Sequence, residues 1–371
     1  MDKKVYLVLE DGTVFEGYSF GADIDTVGEL VFTTGMCGYI ETLTDESYYG
    51  QIVLQTFPMI GNYGIIPEDF EGECSVKGYV VREKCDNPSN FRCKGTLESF
   101  LKEKGIPAIY GVDTRAITQI IREHGVMNAA ICSQIPSDLN SLKEYKIVGA
   151  VDSVTAKTAA VYPAENEKHK VTLIDYGAKR NIIRELNIRG CTVTAVPANA
   201  TAEEILKTNP DGIMLSNGPG DPAENLFQIE VIKELAGIKP IFGICLGHQL
   251  LALSLGAETE KLKYGHRGVN QPVKEVNGTR TYITSQNHGY AVVPDSVKKG
   301  KISFINANDG TCEGIDYDDL NAFSVQFHPE AASGPKDTAF LFDRFIMTIE
   351  YRNAGERFDK PISSAFANSN K

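Results

Sequence analysis

A cysteine stands between two glycines in Gly243-Ile244-Cys245-Leu246-Gly247-His248-Gln249, with apolar Pro240-Ile241-Phe242 before it and an apolar, helix-like run from Leu250 to Leu255 after it. This arrangement is the thiol form of a nucleophile elbow, in which a strand ends, the chain turns sharply and a helix begins beneath the nucleophile. Glycine suits both flanks because so tight a turn leaves no room for a Cβ. The helix start points backbone N–H groups and the positive end of its dipole at the sulfur, which favours the nucleophilic thiolate. The plainer alternative is a buried cysteine beside a tight turn. Paired glycines in a strand-to-helix setting weigh against it.

A thiolate attacking a carbonyl needs an acid/base, a group to orient that base, and donors for the oxyanion. Gln326-Phe327-His328-Pro329-Glu330 follows the strand-like run Ala322 to Val325. Pro329 biases His328 toward extended backbone, where residues i and i+2 project to the same side. Glu330 can then lie beside the imidazole and hold its tautomer, as aspartate does in other triads. His248, one helical turn past the sulfur, is a local rival, and His266 and His288, in what read as Gly-rich loops, also compete. Spacing does not choose among them. A Cys245/His248 metal pair lacks further ligands, so no metal site is expected. In Ser216-Asn217-Gly218-Pro219-Gly220-Asp221-Pro222, the glycines let backbone approach a ligand; one N–H there, with that of Leu246, would make a two-donor oxyanion hole. The loop fits no Walker or dinucleotide fingerprint.

The elements that must position these residues alternate from Lys170 onward. Strands are expected over Val171–Asp175, Thr192–Val196, Gly212–Ser216 and Pro240–Ile244, with helices over Lys179–Arg189, Ala202–Lys207 and Leu226–Leu235. Such alternation implies a doubly wound, mostly parallel α/β sheet with helices on both faces. Ligands sit at the carboxyl ends of its strands, so the loops at Gly177-Ala178-Lys179, Ser216 to Pro222 and Cys245 should converge. The first 150 residues read as a smaller, mixed α+β domain. Val5, Leu7 and Leu9 with Asp11-Gly12 and Val14-Phe15 signal a hairpin; strands follow at Glu29–Thr33 and Gln51–Thr56. Helices are expected over Leu97–Lys104 and after Asp113, the latter stopped by Gly125. The boundaries read are 1–150, a polar linker over 151–169, a second domain over 170–358 and a tail over 359–371.

Composition bounds the partners. With 371 residues, 42% hydrophobic and 23% charged, the chain suits two globular domains. A net charge of −12 opposes non-specific binding to nucleic acid or an anionic membrane. No apolar run reaches membrane-spanning length, and Glu10-Asp11-Gly12 interrupts the first apolar stretch too soon for a signal peptide. Eight cysteines without C-x-x-C pairs read as reduced thiols, hence a cytoplasmic setting.

The elbow GICLGHQLLAL, the loop LSNGPGDP and the segment FHPE, in that order, resemble the class I (triad) glutamine amidotransferases, from Lys170 to near Phe358. LEDGTVFEGYSFG and GELVFTTGMCGYIETLTDESYYGQIVLQTFPMIGNYG, with DYGAKRNI, KYGHRGVNQPV and SQNHGYAV, extend the resemblance to the small subunits of carbamoyl-phosphate synthase, across essentially the whole chain. The N-terminal region argues against the amidotransferases of GMP or anthranilate synthesis, which do not carry it. The resemblance implies Cys245 as nucleophile, His328 as acid/base and Glu330 as its orienter. It implies glutamine contacts from Ser47, Gly218, Gly220, Leu246, Gln249, Asn287, Gly289 and Tyr290, with Gly218 and Leu246 at the oxyanion. Tyr290 stands where phenylalanine is usual, a change that a backbone contact should tolerate. A separate large subunit would take the ammonia and combine it with bicarbonate, using ATP and metal ions, to make carbamoyl phosphate for arginine and pyrimidine synthesis. No cofactor is expected in this chain. A free-standing cysteine hydrolase and a non-catalytic regulatory subunit are the competing readings.

Overall fold

The computed structural model describes residues 3–354. The tail read over 359–371, and the last residues of the stretch 170–358, lie outside them. The chain divides into two compact units, one up to Ala150 and one from Val151 on.

In the first unit seven strands close into a barrel, in the order Lys4–Leu9, Val14–Gly21, Pro107–Tyr110, Gly78–Val80, Gln51–Gln55, Thr26–Thr33 and Met127–Cys132. The first two form the expected hairpin, with Val8 opposite Val14 and Gly12 at φ +92° in the turn. A side chain there would be strained, so glycine carries the turn. Three neighbouring pairs are parallel, Thr26–Thr33 with Gln51–Gln55, Gln51–Gln55 with Gly78–Val80, and Gly78–Val80 with Pro107–Tyr110. Their crossovers are long-range, which local patterning does not disclose. Thr96 caps the Leu97–Glu103 helix reciprocally with Ser99, and Asp113 caps Thr114–His124 by accepting from the Arg115 and Ala116 N–H groups.

The second unit is built on a ten-stranded sheet. Its centre is parallel, in the order Cys191–Pro197, His169–Asp175, Gly212–Leu215, Ile241–Ile244 and Ala322–Val325. Gly212–Leu215, Ile241–Ile244 and Ala322–Val325 are short and buried throughout because both faces are covered. On one side Ile213, Leu215 and Ile241 pack with Ile232, Leu235, Leu250 and Leu251 of the Leu226–Leu235 and Leu246–Ser254 helices. On the other, Met214, Phe242 and Phe323 pack with Ile182, Leu186, Phe342, Phe345 and Ile349 of the Arg180–Ile188 and Phe340–Asn353 helices. Phe242 stacks on Phe323 with ring centroids 4.4 Å apart. This is the doubly wound core that the alternation required.

Two segments differ from their sequence reading. Residues 151–169, read as a linker, belong to the second unit: Val151 enters its core, and Ala160–Tyr162 adds an antiparallel edge strand beside Cys191–Pro197. The small polar residues there serve the fold directly, since the Thr155 hydroxyl donates to the Asp175 carbonyl and accepts from the Ala198 N–H. The surroundings of His266 and His288, read as loops, are long strands, Thr259–Glu275 and Thr281–Val292, paired with His266 opposite His288. Gly265 (φ +70°) and Gly268 (φ +151°) mark the irregular register of that pair rather than a loop.

Candidate active site

The strand Ile241–Ile244 delivers Cys245 in a conformation that L-residues rarely adopt, φ 54° and ψ −103°. Its N–H still donates to the Val325 carbonyl of the neighbouring strand at 2.9 Å, so the turn is made at one residue. Strain of this kind persists only where the surroundings enforce it. Both flanking glycines are enforced in turn: a Cβ on Gly243 would stand 2.7 Å from the Gly247 carbonyl oxygen, and one on Gly247 would stand 2.4 Å from that of Leu215. The helix Leu246–Ser254 then starts directly after the sulfur, and Leu246 occupies its first position, where an N–H has no intrahelical acceptor. Cys245 is buried, and its Sγ lies 3.7 Å from the Asn287 carbonyl oxygen.

The three loops at the strand ends meet. Asn217, fully buried, accepts from the Lys179 N–H at 3.0 Å and donates its Nδ2 to the Gly177 carbonyl at 3.0 Å. The Gly247 N–H donates to the Ser216 carbonyl at 3.0 Å, tying the elbow to the same loop. Gly218 must be glycine, since a Cβ would lie 2.3 Å from the Tyr176 carbonyl oxygen and 2.8 Å from the Leu246 side chain. Gly220 takes φ +90°.

His328 and Glu330 are both buried, and the imidazole Nδ1 donates to Glu330 Oε1 at 2.6 Å. The Lys179 ammonium stands 3.6 Å from that oxygen and 3.3 Å from the ring nitrogen. Burial pulls the imidazole pKa down and Lys179 adds to this, but the Glu330 carboxylate and the Cys245 sulfur outweigh both, and the value is pushed up to about 9. Nε2 makes no hydrogen bond of ordinary geometry, although Cys245 is near enough to raise the ring's basicity. For Glu330, burial favours the neutral acid, yet His328 and Lys179 together hold the carboxyl below its usual range. Asn181 Nδ2 donates to the Glu330 backbone carbonyl, fixing the segment from the opposite side.

The rival histidines have other partners. His248 is buried beside Ser324 Oγ at 2.8 Å, and burial pushes it down to about 3. His288 donates Nδ1–H to the Tyr290 carbonyl at 2.8 Å and is held well below its ordinary value, first by burial and then by the charge of His266. Gln249 Nε2 donates to the same Tyr290 carbonyl at 2.7 Å and to Gln326 Oε1 at 2.9 Å. Gln249, Asn287, Gly289 and Tyr290 thus gather on the elbow helix and the strand Thr281–Val292 that faces it. Ser47 belongs to the first unit, in the turn Glu46–Tyr48, where its N–H donates to Asp45.

The expected N-terminal and C-terminal motifs are matched by two family models: carbamoyl-phosphate synthase small chain, CPSase domain, over residues 7–131, and glutamine amidotransferase class-I over residues 172–348. The carbamoyl phosphate synthase small chain of Bacillus thuringiensis is 50% identical over 360 residues, covering 95% of this chain and 98% of that one. Those of Fusobacterium nucleatum and Clostridium perfringens are each 50% identical, covering 93% and 92% of this chain and 98% and 99% of theirs. The chain belongs to the carbamoyl phosphate synthase small-chain family. It is therefore a glutamine amidotransferase whose barrel unit carries the small-chain domain. That family context does not disclose every group at the site. The sequence placed Lys179 and Asn181 in the DYGAKRNI segment and Gln326 beside the FHPE segment but gave them no role at the triad, and only the folded chain brings them, with Glu313, to the triad strand and its neighbours.

Proposed function

We propose that Cys245, His328 and Glu330 hydrolyse the side-chain amide of glutamine and that the ammonia passes to a synthetase partner, the large subunit of carbamoyl phosphate synthase. The observation that carries this reading is the strained Cys245 elbow, with a buried, Glu330-bound imidazole whose pKa is raised in part by that same sulfur.

The steps follow from these groups. The sulfur attacks the amide carbon, and the oxyanion takes hydrogen bonds from the backbone N–H groups of Leu246 and Gly218; removing one such donor typically costs ~10²–10³ in rate. An imidazole with a pKa near 9 carries its proton at neutral pH and gives it to the leaving nitrogen. Ammonia departs and a γ-glutamyl thioester remains on Cys245. His328, now neutral, takes a proton from water, whose oxygen attacks the thioester carbon; the sulfur leaves as thiolate beside the reprotonated imidazole, and the released glutamate gives its γ-carboxyl proton to solvent. Gly220, Gln249, Asn287, Gly289 and Tyr290 hold the amino-acid end of the substrate. ATP, bicarbonate and metal ions belong to the partner. Ammonia must stay unprotonated and away from bulk water, which a sealed interface with that partner provides.

The test is Cys245→Ser in the two-subunit complex. Glutamine-dependent carbamoyl phosphate synthesis is expected to vanish while synthesis from added ammonia continues. Loss of both, or of neither, would overturn the role given to Cys245.

A further inference from the structure

Asparagine is a chemically labile residue, and most so before glycine, where no side chain shields the next backbone nitrogen from the carboxamide. The chain holds two such pairs. Asn217-Gly218 lies in the active-site loop after the strand Gly212–Leu215, and Asn277-Gly278 lies in the turn that joins Thr259–Glu275 to Thr281–Val292. Their surroundings are opposite in kind.

Asn217 is fully buried, and both ends of its carboxamide are held. Its Oδ1 accepts from the Lys179 N–H and its Nδ2 donates to the Gly177 carbonyl, each at 3.0 Å. The backbone beyond it is seated so closely that a Cβ on Gly218 would lie 2.3 Å from the Tyr176 carbonyl oxygen. Bringing the Asn217 Cγ onto the Gly218 nitrogen therefore requires both bonds to break inside a packed loop. Asn277, by contrast, is exposed, as are Val276, Thr279 and Arg280 around it. Among the described residues nothing bonds to its carboxamide. The Gly278 N–H donates to the Glu275 carbonyl at 3.4 Å, beyond the usual length of such a bond. A side chain at residue 278 would relieve the lability, but the fold leaves no space for one: a Cβ there would stand 2.1 Å from Oε2 and 2.5 Å from the carboxyl carbon of the buried Glu275.

We propose that Asn277 is a site of spontaneous deamidation, and that the fold protects Asn217, its counterpart in the active-site loop, from the same reaction. Hydroxide takes the Gly278 N–H proton, and the nitrogen attacks the Asn277 Cγ. A nitrogen–carbon bond forms, the Cγ–Nδ2 bond breaks, and Nδ2 takes protons from water and leaves as ammonia. Water then opens the cyclic imide at either carbonyl. Opening at Cγ gives aspartate; opening at the main-chain carbon gives isoaspartate, whose backbone runs through the former side chain. In sum a carboxamide and water become a carboxylate and ammonium, with no oxidant or reductant. Each event adds one negative charge to a chain whose net charge is −12, beside the Glu275 carboxyl at the hairpin end. Neither half of the proposal depends on the glutaminase reading.

The test incubates the full chain in H₂¹⁸O at about pH 8.5, with a parallel sample unfolded in guanidinium chloride, and follows both Asn-Gly peptides by mass after digestion under acidic conditions. The ¹⁸O label marks conversion during the incubation, and fragmentation by electron transfer separates aspartate from isoaspartate. In the folded chain Asn277 is expected to convert to a mixture of the two, within about fivefold of its rate in the unfolded sample. Asn217 is expected to convert at least about thirtyfold more slowly than Asn277, which is the cost of opening two buried hydrogen bonds. Unfolding should bring the two rates within about threefold of each other, since both are then set by the following glycine. Asn277→Gln should remove the acidic species that accumulates on isoelectric focusing of the wild-type chain. An Asn277 that stays intact in the folded chain while the unfolded sample converts would overturn the proposal. So would an Asn217 that converts as fast as Asn277 before unfolding, or an acidic species that persists in Asn277→Gln.

Discussion

Replacing Glu330 with glutamine keeps the shape of the side chain and removes its charge. The imidazole of His328 sits at about 9 because Glu330 and Cys245 together overcome burial and Lys179. Moving a histidine there from its ordinary 6.5 corresponds to roughly 3 kcal/mol of preference for the protonated ring. With Glu330 neutral, burial and the nearby ammonium act against a weaker opposition, and the value should fall below roughly 6.5. At pH 8 the protonated fraction would drop from about nine-tenths to a few per cent, roughly thirtyfold. The misoriented ring adds to this, since neutralising the orienting acid of a triad costs roughly 10⁴ in kcat. The sign is that of a raised group: the proton is held below the folded pKa and lost as pH rises through it. The assay is glutamate release by the complex from pH 5.5 to 10. The wild-type alkaline limb is expected near 9, and the Glu330→Gln limb below neutrality on a much lower plateau. A Glu330→Gln profile with its alkaline limb unmoved would refute the electrostatic reasoning.

Other outcomes follow from the same geometry. Lys179→Met removes a cation that holds the imidazole down, so the alkaline limb of the pH profile should move upward, opposite in sign to Glu330→Gln. Gly247→Ala places a Cβ 2.4 Å from the Leu215 carbonyl oxygen, so it should abolish glutaminase activity and lower the melting temperature. Phe242→Ala, which empties a ring stacked on Phe323 beneath the elbow, should cost about 3–5 kcal/mol in denaturant unfolding.

Much of this was legible in the chain because local chemistry and long-range placement agree. The elbow glycines, the short apolar strands and the His328-Pro329-Glu330 spacing each dictate geometry within a few residues. The antiparallel strands Thr259–Glu275 and Thr281–Val292 were not legible: their glycines mimic loops, and their polar faces bury Gln286, His266 and His288 against Glu313 rather than alternate cleanly. Residues 151–169 misled for a related reason, since their edge strand is only three residues long and largely exposed, and so leaves little apolar signal. The Lys179 ammonium was hidden differently. Its loop was marked by position in the sheet, but only the folded chain brings residues 179, 328 and 330 together.

The central claim is that the Cys245 sulfur carries the substrate. Acid-quenching the complex during glutamine turnover, digesting it and measuring peptide masses tests this directly. A γ-glutamyl adduct is expected on the peptide containing Cys245 and is expected to be absent after Cys245→Ser. Turnover with the adduct on another cysteine, or persisting in Cys245→Ser, would contradict the account.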